Sequence, residues 1–128
     1  MSIPTLIISY PTSAAVTPKR IVKFSDTAAT NKVALATAAT EPLLGLSDAM
    51  GGPSGGMADI ILAGLGEVVL GGTVAAGDKL TSDAAGAAVK CLGAANTRKE
   101  YVATALLPGV AGDIIPCLVE RGVIQLPA

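Results

Sequence analysis

Apolar residues in this chain come in short runs rich in Val, Ile and Leu, broken every few positions by Gly, Pro, Asp or Ser. The runs are Thr5–Ser9, Arg20–Phe24, Lys32–Ala36, Leu43–Ser47, Met57–Ala63, Glu67–Leu70, Lys79–Thr81, Ala87–Cys91, Tyr101–Leu106, Ile114–Val119 and Val123–Leu126. None shows a sustained period of 3.6, so the pattern predicts an all-β chain, built as a small β-barrel or β-sandwich. The Gly64-Leu65-Gly66 stretch reads as the glycine-bracketed end of a hairpin strand. Ala-rich stretches at Thr27–Thr30, Thr37–Thr40 and Asp83–Ala88 favour helix by propensity, but they are short, mixed with Thr and Gly, and uncapped. At most one short helix is expected, near Ala94–Lys99.

The pattern also returns. Ser25-Asp26-Thr27-Ala28 recurs as Ser82-Asp83-Ala84-Ala85 after 57 residues, and Ala58-Asp59-Ile60-Ile61 recurs as Gly112-Asp113-Ile114-Ile115 after 54. Gly66-Glu67-Val68 matches Gly122-Val123-Ile124 after 56. Two pseudo-repeated halves predict a pseudo-symmetric domain, because a solenoid needs three or more repeats to bury its faces. Ahead of them lies an uncharged segment, Met1–Pro18, held extended by Pro4, Pro11 and Pro18. The expected organisation is an extended N-terminal arm over residues 1–19 and a single β domain over 20–128. Two readings of the arm stay open: a latch strand that adds to a neighbouring sheet edge, or the first strand of the domain itself.

Composition narrows the chemistry. The 128 residues are 51% hydrophobic yet only 2% aromatic, with no Trp and no His. Ala and Gly together supply 38 of them, which favours close strand packing over a bulky core. Zero His removes the usual general base and the commonest zinc ligand. A net charge of −1 gives no field for nucleic acid or an anionic membrane, and Lys19-Arg20 and Arg98-Lys99 are the only basic pairs. The N-terminal segment has neither the basic start nor the unbroken apolar core of a signal peptide, and it is too short to span a bilayer.

No constellation of reactive groups stands out. Gly64-Leu65-Gly66-Glu67-Val68-Val69 begins like a dinucleotide loop but puts Val where the third Gly belongs. Gly51–Gly56 lacks the Gly-Lys-Ser/Thr ending of a phosphate loop and reads as a flexible tip able to touch a partner. Asp48, Asp59, Asp78, Asp83 and Asp113 each sit beside Gly, Ala or Ser, where Asp closes turns with its own side chain. Cys91 and Cys117 lie in apolar stretches and read as buried thiols, with a disulfide as the alternative. The expectation is a chain with no catalytic site, no metal and no cofactor.

The run Val74-Ala75-Ala76-Gly77-Asp78-Lys79-Leu80-Thr81-Ser82-Asp83-Ala84-Ala85-Gly86-Ala87-Ala88-Val89 resembles the signature of small tailed-phage capsid cement (head decoration) proteins. Leu43–Asp48 followed by Gly56–Ile61, and Ala103–Leu106 followed by Gly112–Ile115, are similar to that family's strand–loop–strand unit. The resemblance implies an all-β fold of jelly-roll or β-tulip type. It also implies a structural virion protein that binds the outer surface of a phage capsid and stabilises contacts between major capsid protein subunits. Partners implied are the major capsid protein and further copies of the chain, a homotrimer ahead of a dimer, with no nucleic acid or membrane. The product would be made in the host cytoplasm and reside on the capsid exterior. Candidate partner-binding residues are Ile3, Leu6, Ile7, Ile8 and Tyr10 in the arm and Gly52, Pro53 and Ser54 in the loop. The runner-up function is a generic β-sandwich binding module of carbohydrate-binding or adhesin type, which the scarcity of aromatics disfavours.

Overall fold

The computed structural model describes residues 3–25, 28, 30–92 and 98–125. Its regular elements are all strands: β1 (Ile3–Pro11), β2 (Ile21–Phe24), β3 (Val33–Leu35), β4 (Leu43–Ser47), β5 (Met57–Val69), β6 (Lys79–Ser82), β7 (Ala88–Lys90), β8 (Arg98–Ala105) and β9 (Ile114–Gln125). They pair antiparallel in the order β3-β2-β4-β5-β9-β8-β6-β7, with β1 added to β5. The path ends at β3 and β7 and does not close, so the architecture is all-β and sandwich-like rather than a barrel. No described residue is helical. Of the expected helix, Ala94–Thr97 lies outside the described residues, and Arg98 and Lys99 open β8. Asp26 and Thr27 of the first Ser-Asp turn also lie outside them.

Two expected breaks are absent. Met57–Ala63 and Glu67–Leu70 fuse into β5, and the runs beginning at Ile114 and Val123 fuse into β9. The glycines between them do something other than turn the chain. Gly64 takes φ +101°, a conformation that strains any residue with a Cβ, close to where β5 slips register against β1. At Gly122 an added Cβ would sit 2.7 Å from Cε2 of Tyr101, so the residue lets the ring cross the strand.

The sheet order is a palindrome, β3-β2-β4-β5 facing β9-β8-β6-β7, and the backbone repeats in detail. Thr12 bridges Val33 as Leu70 bridges Ala88, in parallel. Val16 and Gly52 exchange N–H···O bonds of 2.8 and 2.9 Å, as Val74 and Gly109 do at 3.0 and 3.1 Å. Lys19, the one non-glycine of positive φ among the described residues, stands where the second half has Gly77. Two sequence matches are corrected. Ser47 pairs with Ile60 while Ala105 pairs through Cys117, so β5 aligns with β9 at a spacing of 57, neither the 54 of the Asp-Ile-Ile match nor the 56 of the Gly66 match. Asp59 lies within β5 whereas Asp113 precedes β9 in a turn, so the matching tripeptides occupy different structure.

Two cores follow. One gathers Val16, Val22, Val33, Leu44, Ala58 and Ile60, with Tyr10, Phe24, Leu35 and Leu62 packed against it. The other holds the second-half counterparts Val74, Leu80, Ala88, Val102, Ile115 and Cys117, together with Ile21, Leu43, Leu46, Ile61 and Val68 from the back of the first half. Strand β4 is therefore buried on both faces, Leu44 in the first core and Leu43 and Leu46 in the second. Burying one such side chain contributes about 1.5–3 kcal/mol.

The back of the second half is polar instead. Where the first half has Ile21, Leu43 and Leu46, it carries Lys79, Tyr101 and Thr104. The Lys79 ammonium lies 5.2 Å from the Tyr101 ring centroid, donates to Thr104 Oγ1 at 2.9 Å, and pairs with Glu120 at 3.5 Å. Beyond β4, β5 pairs with β9; beyond β5, β9 runs along the longer β8. A polar back and an occupied edge end the repeat at two units.

One ionic knot ties the first half. Glu41 accepts from Lys23 Nζ, Thr37 N at 2.6 Å, Thr37 Oγ1 at 2.8 Å and Ala38 N at 2.8 Å. Burial pushes its carboxyl up, but Lys23 and the Thr37 and Ala38 donors outweigh that and hold it at about 2, against an ordinary 4.5. Since the folded value is depressed, the stabilisation is complete above pH 4.5 and lost as pH falls toward 2. Wild type is expected to lose up to about 3 kcal/mol across that window in acid-titrated denaturant melts, and Glu41→Gln to lose far less there while starting less stable at pH 7.

Candidate interaction surface

Of the five aspartates that the sequence reads as turn residues, four bind backbone N–H groups. Asp48 accepts from Ala49 N at 2.7 Å, Asp78 from Ala75 N at 2.9 Å, and Asp113 from Val110 N at 3.0 Å. Asp83 accepts from Ala85 N at 2.8 Å and Ala87 N at 3.0 Å, and Asp59 accepts the Ser9 hydroxyl. The bonds of Asp48, Asp78, Asp83 and Asp113 build turns, as their Gly, Ala and Ser neighbours predict, whereas Asp59 closes no turn: it lies within β5 and meets Ser9 across the β1–β5 pair. Cys91 and Cys117 are buried free thiols. Burial, with Glu67 adding to it, pushes Cys117 up to about 12, so it stays protonated and behaves as a small apolar group.

The N-terminal candidates lie on β1, which pairs along its length with β5 of the same chain. Ile3 stands opposite Leu65, Leu6 opposite Ala63, Ile7 opposite Ile61, Ile8 opposite Ile60, and Tyr10 opposite Ala58. Tyr10 turns inward, packing against the first core and edge-on to Phe24 with ring centroids 5.8 Å apart. Leu6, Ile7 and Ile8 are 46%, 41% and 41% exposed. Three consecutive residues point to both faces of a strand, so neither face of β1 is covered there. The edge of β1 away from β5 pairs with no other strand among the described residues. An apolar, uncharged edge strand of this kind is a ready template for strand addition.

The loop candidates meet the end of that strand. Gly52 exchanges backbone bonds with Val16, the Thr12 hydroxyl donates to the Pro53 carbonyl, and Ser54 Oγ lies 3.5 Å from Ser13 O. Gly51 and Gly55 both take positive φ, which lets the loop double back on Thr12. Gly52–Ser54 and the stretch after β1 thus form one surface, with Leu6–Ile8 several residues further along the strand. Sequence reasoning missed the exposed apolar residues flanking this loop, Met50 and Met57, their second-half counterparts Leu107 and Ile114, and Val110, the counterpart of Pro53. The available signal was the 57-residue spacing of the two loops, which share little beyond Gly52/Gly109 and Gly55/Gly112.

No family model matches the chain, and no curated protein matches it. Among solved structures it is similar to the crystal structure of the head fiber gp8.5 N base of bacteriophage phi29, with a TM-score of 0.66. The chain shares the fold of that base. The match covers 90% of this chain and 93% of the base, so it spans both halves. At 16% identity the likeness is one of fold, not of shared side chains.

Proposed function

We propose that the chain is a structural virion protein that binds the outer surface of a phage capsid and stabilises contacts between neighbouring major capsid protein subunits. The observation that carries the reading is the fold shared with a phage head fiber base over nearly the whole chain. The cement-like run supports it, since Ala75–Asp78 forms a turn closed by Asp78, β6 follows, and Asp83 closes the next turn before β7. The exposed edge of β1 and the Gly52–Ser54 loop offer the contacts, the strand by adding to a sheet edge of the shell. A homo-oligomer, trimer ahead of dimer, would present several such edges at once.

The test is to mix purified protein with expanded shells that lack it and sediment them. Binding that saturates is expected; failure to co-sediment at saturating protein rejects the reading. The variant L6S/I8S alters two exposed side chains, so it is expected to fold normally yet bind at least tenfold more weakly. Unchanged binding by this variant would remove β1 from the contact while leaving the capsid reading intact.

A further inference from the structure

Each half carries a loop between its third and fourth strands, residues 48–56 in the first and 106–113 in the second. The loops are built alike. Gly56 N donates to Pro53 O at 3.2 Å and Asp113 N to Val110 O at 3.0 Å, and Gly55 and Gly112 take φ of +74° and +92°. Superposed through these features, Met50 matches Leu107, Pro53 matches Val110, and Met57 matches Ile114, each pair 57 positions apart. All six are apolar and all six are exposed, Met50 at 89%. The side chains differ, but the exposed apolar character recurs at three matched positions.

Neither tip carries an ionisable side chain between Ala49 and Met57 or between Leu106 and Gly112. Asp48 and Asp113, the acids beside them, direct their carboxylates to backbone N–H groups of their own turns. The apolar faces therefore suit an apolar, uncharged depression. The tips lie at opposite ends of β5, because Met57 begins that strand and Ile114 pairs with Val69, its last residue. Thirteen residues at about 3.3 Å each separate them by roughly 40 Å along the strand.

We propose that the chain docks bivalently, its two tips seating in like apolar depressions on an array of identical protein subunits. This rests on the capsid reading above and adds the two tips to the contacts proposed there. Two copies of one chemistry on a single chain fit a partner that presents the same site repeatedly, as an array of identical subunits does. Once one tip is seated, the second binds at high effective concentration, so weak individual contacts give tight attachment.

The experiment compares wild type, M50S/M57S, L107S/V110S, the fourfold combination and L92S for binding to shells that lack the protein. Leu92 is an exposed apolar residue outside both tips, so L92S controls for lost hydrophobicity as such. Thermal unfolding checks each fold, and a destabilised double variant is replaced by M50Q or L107Q alone, which touch only a loop tip. Each tip variant is expected to lower apparent affinity roughly 100-fold, the fourfold variant to abolish binding, and L92S to match wild type. If wild type binds but one tip variant binds equally well, bivalent docking is overturned while the capsid reading stands. Failure of wild type to bind overturns both. Light scattering reads the remaining outcome: tip variants that lose self-association but keep shell binding would assign the tips to contacts between copies and overturn the proposal.

Discussion

Leu46→Ala is expected to lower stability by about 2–5 kcal/mol and to lower it for both halves together. Leu46 sits on β4 in the first half, yet it is wholly buried in the core formed mainly by the second. Ile21, Leu43, Ile61 and Val68 accompany it, so the back of the first half is the lid of the second half's core. Truncation leaves a cavity that the surrounding strands can fill only in part, since β4 is held on one edge by β2 and on the other by β5. Denaturant unfolding followed by two probes, Tyr10 in the first half and Tyr101 in the second, is the check. Coincident transitions displaced to the same lower midpoint are expected. Two separated transitions would mean that the halves hold their cores independently.

Gly45→Ala is expected to be as damaging without removing any atom. An added Cβ at this position would overlap the Ile61 carbonyl oxygen of β5 and lie 3.3 Å from Ile60 Cγ2. The obstacle is backbone, and Ile61 is itself paired with Leu46 and Ile7, so no side-chain rotation relieves it. The strands must separate, which costs about 1–3 kcal/mol for ordinary overpacking and more where a ladder is forced apart. Ala has the better intrinsic strand and helix propensity, so a loss of thermal stability here isolates the steric cause. Equal or raised stability in calorimetry would overturn the close approach of β4 to β5 as the cause.

The shell-binding predictions depend on this rigidity. Both apolar tips are carried on short loops anchored by backbone bonds, and their spacing is set by the length of β5. A variant that loosens β4 against β5 would disturb that spacing as well as the core. For that reason binding tests belong on surface substitutions, and core substitutions belong in melts.

The sequence by itself determined the all-β class, most strand positions, the duplication and the turn role of Asp48, Asp78, Asp83 and Asp113, though not the strand position of Asp59. Short β-branched runs bounded by Gly and Asp are local signals, and the residues that carry them, such as Leu43–Ser47, need no distant partner to be read. Tertiary structure alone decided what Gly64 and Gly122 do. A glycine between two apolar runs reads locally as a turn, and only the Tyr101 ring lying against Gly122 shows why the chain runs straight through. It likewise decided that Glu41 meets Lys23, eighteen residues away, and that the first half covers the core of the second. The matched tips at Met50 and Leu107 stayed hidden for the same reason. Exposure and equivalence depend on which strands lie side by side, and pairing between residues 45 to 55 positions apart leaves no trace in local pattern.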